Sequence, residues 1–415
     1  MEIAALNGFK DILPEETGLW RRVEETARDI FARFAFQEIR PPVLEKTELF
    51  KRSIGEATDI VEKEMYTFAD KGLTMRPEAT AGLLRAVIEH NLLAAKPQRR
   101  LFAIGPMFRH ERPQKGRLRQ FHQLDVEALG GAHPLIDAEL MAMGALLLAE
   151  LGLTASLEIN SLGCPICRPA YREKLLAFIA SRACNLCADC QRRGTTNPLR
   201  VLDCKNPACR AQVEEAPSIL EHLCPDCASH FAGVEAGLTS LGASYKRNKF
   251  MVRGLDYYCR TTFEFLTTDL GAQAAVGAGG RYDGLIEQLG GPKNTPGIGF
   301  AMGMERLVLL LQQKEDAAAT AAEADLYIAA LGPEAVNACL PLAHRLRERG
   351  MRVAMDYEGR GLKSQMKQAD RLGAASTLIV GDDELKSGQA VLRDMRGKEQ
   401  RAVALDAAQI ASLLN

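Results

Sequence analysis

Apolar residues recur at helical spacing over about 18–36, where Leu19, Val23, Ala27, Ile30, Phe31 and Phe34 form one stripe. The paired prolines of "EIRPPVLEK" stop that helix and suit an extended edge segment. A helical pattern resumes after Pro77 in "RPEATAGLLRAVIEH". Between about 101 and 129 the period changes to two, and "RPQKGR" reads as the turn between antiparallel strands. On the first arm Phe102, Ile104, Pro106 and Phe108 share a face, with Arg109 and Glu111 on the other. On the second, Leu124, Val126 and Ala128 oppose Gln123, Asp125 and Glu127. A long apolar helix follows over roughly 134–151.

Further on, a Cys-rich stretch at about 164–241 interrupts the pattern like an insertion, and strand-like, Gly-punctuated sequence returns over 250–265. "TPGIGFAMGMERLVLLL" reads as a strand running into a helix, and the Ala-rich "KEDAAATAAEA" (314–324) as a linker. Beyond it, strands at "ADLYIAAL", "MRVAMDY" and "STLIVG" alternate with helices over 334–349 and 362–372, the pattern of a small α/β domain with a partly parallel sheet. The expected division is 1–163, an insertion at 164–243, a return of the first domain at 244–322, and a C-terminal domain at 325–415. A chain of 415 residues suits two or three domains.

Charge changes this picture only locally. Lys plus Arg (52) nearly balances Asp plus Glu (53), so nucleic-acid binding cannot rest on net charge. The patch 108–119 nevertheless gathers Arg109, His110, Arg112, Lys115, Arg117 and Arg119. The N-terminus lacks a basic start and a long apolar core, and "LMAMGALLLAELGL" is too short to span a bilayer, so the expectation is a cytoplasmic chain without a membrane partner. Of 11 cysteines, nine fall between Cys164 and Cys227. In a reducing compartment this reads as metal ligation or reduced buried thiols rather than disulfides. Three C-x-x-C pairs, Cys164/Cys167, Cys187/Cys190 and Cys224/Cys227, with Cys204 and Cys209 of "DCKNPAC", supply eight thiolates that could make two four-cysteine structural Zn²⁺ sites.

The alternating strands leave two readings open. Their polar side is either an ordinary solvated sheet face or the floor of a site. Gln123 and Glu127 lie ~13 Å apart along an extended strand, enough to admit a small polar molecule between their tips. The intervening loop could then swing over a phosphate-bearing partner.

At this point the residues resemble a known family. "FRHERPQKGRLRQFHQ" is similar to motif 2 of class II aminoacyl-tRNA synthetases, specifically of the histidyl-tRNA synthetase family. "FQEIRPPVLEKTELFKRSIGEATDIVEKEMYTF" resembles its motif 1 region, and "LTMRPEATAG" its amino-acid-binding segment. "VRGLDYYCRTTFEF" and "GAGGRYDGL" resemble its two histidine signatures, and "GIGFAMGMERLVLLL" its motif 3. Ala79 and Asp125 stand where that family more often has glycine. No G-x-x-x-x-G-K-[ST] loop occurs, and "GAGGRY" departs from G-x-G-x-x-G at its last position.

The resemblance implies an α+β fold: an antiparallel-sheet catalytic domain, a mainly helical insertion and a C-terminal anticodon-binding α/β domain. It implies ligation of L-histidine to tRNA(His) through a histidyl-adenylate, with ATP as substrate, Mg²⁺ on the phosphates, and a homodimer formed through the motif 1 region. Arg109 and Arg253 are then the expected catalytic residues. Arg109 would grip the α-phosphate, Glu111 would lie near the adenine amino group, and Arg306 would hold the outer phosphates. Arg253 would contact the histidine carboxylate together with the α-phosphate. Glu127 and Tyr258 would take the two imidazole nitrogens, with Tyr257 and Tyr282 nearby, while Glu78, Thr80 and Gln123 would take the ammonium group. Arg112, Gln114, Lys115 and Arg117 would meet the tRNA acceptor end. The alternative is a catalytically inactive, synthetase-like, histidine-sensing regulatory subunit.

Overall fold

The computed structural model describes residues 3–55, 58, 60–255, 257–271, 275–314 and 324–414. The linker read over 314–324 lies outside them, but for Lys314 and Ala324. The chain divides into two compact units, one ending at Lys314 and one following it.

In the first unit the opening helix is Pro14–Arg33, longer at its start than the apolar stripe predicts because Pro14 sets the first turn and Glu15 and Glu16 suit its positive end. The strands are β1 (Gln37–Glu38), β2 (Leu44–Lys46), β3 (Tyr66–Phe68), β4 (Leu73–Met75), β5 (Arg99–Phe108), β6 (Gln120–Leu129), β7 (Ser156–Ser161), β8 (Tyr245–Arg247), β9 (Cys259–Leu266), β10 (Ala275–Arg281) and β11 (Gly297–Gly303). Eight of them form one sheet in the order β1-β5-β6-β11-β10-β9-β7-β8, and β2, β4 and β3 form a small second sheet. The central pairs are antiparallel, and only the edge pairs β1–β5 and β7–β8 run parallel.

One face of the large sheet is apolar. Phe102, Leu124, Val126 and Phe300 pack there beneath the helices Pro14–Arg33, Pro134–Glu150 and Met304–Lys314. The other face is cut down by small residues. Across from Asp125 stand Ala103 on β5 and Ala301 on β11; across from Gln123 stand Gly105 and Gly303. Glu127 faces Gly299, where a Cβ would run into the Glu127 carboxylate. That face is therefore a recess rather than a solvated surface.

The stretch read as strand from 250 is extended only from Cys259. Met251 and Val252 are buried in a loop, with Asn160 Nδ2 donating to Met251 O at 3.0 Å. Their apolar character serves the core, which period alone cannot distinguish from a strand.

The Cys-rich stretch is mainly helical: Arg168–Ala180, Ala188–Thr196, Pro207–Val213 and Pro225–Ser240. The last of these lays Phe231, Val234 and Leu238 into the sheet's apolar core. A buried charge knot pins it there. His230 Nε2 lies 2.9 Å from Asp137 Oδ2, and Arg281 Nε donates to both Asp137 oxygens at 2.9 Å. Among the described residues no helix is long and apolar enough to cross a membrane.

The second unit follows the predicted alternation. Parallel strands β12 (Leu326–Ala330), β13 (Val353–Met355) and β14 (Ser376–Val380) alternate with helices Pro333–Glu348 and Leu362–Arg371. Antiparallel β15 (Gln389–Asp394) and β16 (Gln400–Ala404) extend the sheet. β12 is buried along its whole length, as a central strand covered on both sides must be.

Candidate active site

The recess holds a cavity of about 370 Å³, within the size range of small-molecule sites. Strand β6 supplies Gln123, Asp125 and Glu127 to its floor. Glu78 and Thr80 enter from the start of the helix Thr80–Glu89, Tyr282 from the end of β10, and Arg253, Tyr257 and Tyr258 from the loop before β9.

Part of the wall is carboxylates and phenols. The Thr80 hydroxyl donates to Glu127 Oε1 at 2.6 Å, and the Tyr282 hydroxyl donates to Glu127 Oε2. Thr80, expected beside the ammonium group, thus holds Glu127. Tyr257 packs between its neighbours, its ring tilted 4.6 Å from that of Tyr258 and edge-to-face 5.8 Å from that of Tyr282. Glu78 Oε1 accepts from Ala81 N–H at 2.9 Å.

Burial pushes the Glu127 carboxyl up to about 8. It also raises Glu78. Asp125 is lifted well above the usual carboxylate range, first by burial and then by the charges of Glu127 and Glu78. Asp125 Oδ2 and Gln123 Oε1 are buried with no hydrogen-bond partner. Unpaired buried acceptors are costly, so they mark where a ligand's donors belong. Asp125 is a site residue that the sequence reading placed on the right face without giving it a role. Its signal was its period-two position between Gln123 and Glu127.

The same wall carries cations. Arg109 Nε donates to Pro77 O at 2.7 Å, and its guanidinium lies 5.2 Å from the Phe121 ring centre. Arg253 Nη1 donates to Glu264 Oε1 at 2.7 Å, and its guanidinium lies 5.2 Å from the Tyr258 ring centre. Glu264 was not singled out from sequence, although it is the lone acid in "TTFEF". Arg306 Nε donates to Gly116 O at 3.2 Å, and its Nη1 donates to Ala275 O. Gly116 has φ +72°, a left-handed conformation that glycine adopts without strain, and this lets the loop turn so that its carbonyl meets Arg306.

The loop set divides. Arg112, Gln114 and Lys115 are exposed, and the backbone of Gln114 and Arg117 closes a tight turn. Arg117 is half-buried, lines the cavity and ion-pairs with Glu111. It therefore stands with the cavity's cations, Arg109 and Arg306, away from the exposed loop tip.

The eight candidate cysteines collect in two groups. Cys164, Cys167, Cys224 and Cys227 form one; Cys187, Cys190, Cys204 and Cys209 form the other, all sulfurs of a group lying within 4.8 Å of one another. The separations Cys164–Cys167 (3.6 Å), Cys164–Cys224 (3.8 Å) and Cys187–Cys204 (4.0 Å) are far beyond a disulfide bond. They bracket the ~3.8 Å edge of a tetrahedron with ~2.3 Å Zn–S bonds. Backbone N–H groups of Cys224 and Cys187 each point at a sulfur, Cys167 and Cys209 respectively, at 3.1 Å, which favours thiolates.

A family model described as histidyl-tRNA synthetase matches residues 8–307, and one described as anticodon binding domain matches 325–410. A histidine–tRNA ligase of Desulfotalea psychrophila is 64% identical over 100% of this chain and 96% of its own length. That of Geobacter sulfurreducens is 53% identical over 99% of each chain. Among solved structures, an apo histidyl-tRNA synthetase of S. aureus superposes with a TM-score of 0.81 at 36% identity, covering 99% of both chains.

Proposed function

Because this chain belongs to the histidyl-tRNA synthetase family, we infer that the recess joins L-histidine to ATP and passes the histidyl group to tRNA(His). A histidine carboxylate oxygen bonds to the α-phosphorus as the bond to pyrophosphate breaks. A ribose hydroxyl of the tRNA terminus then attacks the histidyl carbonyl, and AMP leaves with the proton on a phosphate oxygen. The first step brings two anions together, and the carboxylate is already ionised at neutral pH. Fixed cations, rather than a general base, are what it needs.

The observation that carries this reading is one cavity lined by both signs: the carboxyls of Glu78, Asp125 and Glu127, and the guanidinium groups of Arg109, Arg253 and Arg306. Histidine lies with its ring against Glu127, which Thr80 holds, and Tyr258, beside Tyr282 and Tyr257, and its ammonium toward Glu78 and Gln123. Arg253 spans its carboxylate and the α-phosphate, Arg109 grips that phosphate, and Arg306 takes the outer ones. Glu111 receives the adenine amino group. Arg112, Gln114 and Lys115 meet the tRNA acceptor end, with Arg117 behind them, and the C-terminal unit binds the anticodon stem.

Mg²⁺ prefers phosphate oxygens, water and one or two carboxylates; Glu305, on the cavity wall beside Arg306 and oriented by His122 N–H at 2.9 Å to each oxygen, is a donor of that type with lone pairs to spare. Bound there, the ion would neutralise charge on the phosphates. The two cysteine groups hold structural Zn²⁺. Exposed Leu44 and Phe68 on the small sheet of the motif 1 region support a homodimer formed through that surface. The chain works in the cytoplasm. The regulatory-subunit reading draws no support, since the complete arginine set converges on one cavity.

Histidine-dependent ATP–pyrophosphate exchange tests the reading. Exchange that requires histidine, ATP and Mg²⁺ is expected; protein that binds histidine without exchange would overturn it.

A further inference from the structure

The first cysteine group joins the two ends of the insertion. Cys164 and Cys167 follow β7 directly, while Cys224 and Cys227 begin the helix that returns to the sheet. Arg168, next to Cys167, turns back toward the active site. Its Nε donates to Leu162 O at 3.1 Å, and its Nη2 donates to the backbone carbonyl of Tyr258. The backbone closes the same corner: Leu162 N–H donates to Arg260 O at 2.7 Å and Arg260 N–H to Gly163 O at 2.8 Å.

The segment held there is strained. Arg260 has φ +50°, a left-handed conformation unfavourable for a side-chain-bearing residue, so its surroundings must over-determine it. Gly163, at φ +62°, makes the approach possible, because a Cβ there would collide with the Cys167 Cβ at 2.8 Å. Tyr258 stands two residues before Arg260, its ring in the cavity wall and against Arg253. A shift of its backbone therefore moves an imidazole partner and a catalytic cation's support together.

We propose that a thiophilic divalent metal, zinc foremost, held by Cys164, Cys167, Cys224 and Cys227 is a positioning site for histidine binding, acting on Tyr258 through Arg168. This rests on the zinc reading above and adds a role to it. Without a metal the four thiols share no covalent link, and the corner beside Arg168 is tied to the pinned returning helix only by weaker contacts such as Cys224 N–H to Cys167 Sγ. With the metal bound, the sulfurs become one rigid body and Arg168 is fixed against Leu162 and Tyr258. Displacements of ~1 Å at a reacting geometry can cost ~100-fold in rate, which makes a remote clamp consequential.

The test uses the full chain and measures zinc per chain, histidine and ATP KM in pyrophosphate exchange, and hydrogen exchange over 257–260. The parent should carry two zinc ions. Arg168→Ala should keep both, raise histidine KM about tenfold, as expected for losing its hydrogen bond to the Tyr258 carbonyl along with the one to Leu162, and speed exchange at 257–260. Its ATP KM should change much less, because Arg109 and Arg306 hold the phosphates independently of Tyr258, and Arg168→Lys should recover part of the loss. Cys224→Ser should lose one zinc and raise histidine KM similarly, and adding Arg168→Ala to it should do little more. If Cys224→Ser does not fold, the Arg168 variants decide alone. Two zinc ions with an Arg168→Ala variant of unchanged histidine KM would overturn the positioning role and leave the zinc reading standing. A parent without zinc would end both.

Discussion

The Thr80 hydroxyl donates a 2.6 Å hydrogen bond to Glu127 Oε1, while the opposite oxygen takes the Tyr282 hydroxyl. Glu127 is thereby oriented by two neutral donors in a buried place, where burial lifts its carboxyl from 4.5 to about 8. Across that window the folded chain holds a proton that the unfolded chain has released. The stability this provides is fully present below 4.5 and is lost as pH rises through about 8. Glu127→Gln removes the dependence. At ~1.4 kcal/mol per pKa unit it should be more stable than the parent at pH 8, by up to a few kcal/mol, and little different at pH 4. Urea midpoints at the two pH values check this, and equal differences at both would refute a neutral buried Glu127. The same variant should lose histidine-dependent exchange.

Arg253 is held by Glu264 at 2.7 Å and by the face of Tyr258. Removing one preorganised donor to a developing charge typically costs ~3–4 kcal/mol. Arg253→Ala should therefore lower single-turnover adenylate formation by about two orders of magnitude or more. Glu264→Gln keeps the cation and loosens its hold, so a smaller loss, near tenfold, is expected.

Arg281 and Asp137 are both fully buried. Arg281→Met would leave Asp137 with His230 alone and should destabilise the first unit by ~3–5 kcal/mol. Denaturant unfolding measures it. A loss below ~1 kcal/mol would mean the knot contributes only as a surface pair does.

Elemental analysis after chelator washing should find two zinc ions per chain, falling to one in Cys187→Ser. Zinc-free protein of unchanged melting temperature would exclude a structural role for the metal.

Exposed Arg112 and Lys115 are expected to contact tRNA phosphate. The pair Arg112→Ala/Lys115→Ala should raise KM for tRNA and reduce the slope of log affinity against log salt by ~1.5–2. Pyrophosphate exchange, which needs no tRNA, should be retained. An unchanged salt slope would remove these two side chains from the interface.

Local pattern made much of this protein legible. The period-two faces of β5 and β6, the turn between them and the alternation of the C-terminal unit depend on neighbours a few residues apart. C-x-x-C pairs likewise narrow the cysteines to metal ligation or reduced thiols by themselves. The family motifs located Arg109, Arg253, Arg306 and Glu127 before any fold was in view. What they could not state was which alternative applied where two were physically open. The polar face of β6 could have met water; Ala103, Gly105, Gly299, Ala301 and Gly303 on its flanking strands make it a buried recess instead.

Pairings between distant segments were beyond any local signal. Tyr282 reaches Glu127 across 155 residues because β11 lies between β6 and β10 in the sheet. Cys167 belongs with Cys224 rather than with Cys187 because the insertion's ends return to one edge of that sheet. Arg117 turned to Glu111 and the cavity, although its spacing grouped it with the exposed loop. Sequence by itself determined which chemistries were present, because side-chain type and short-range period are local properties. Tertiary structure alone decided which of them meet, because strand order and burial are set by contacts that close only when the whole unit has folded.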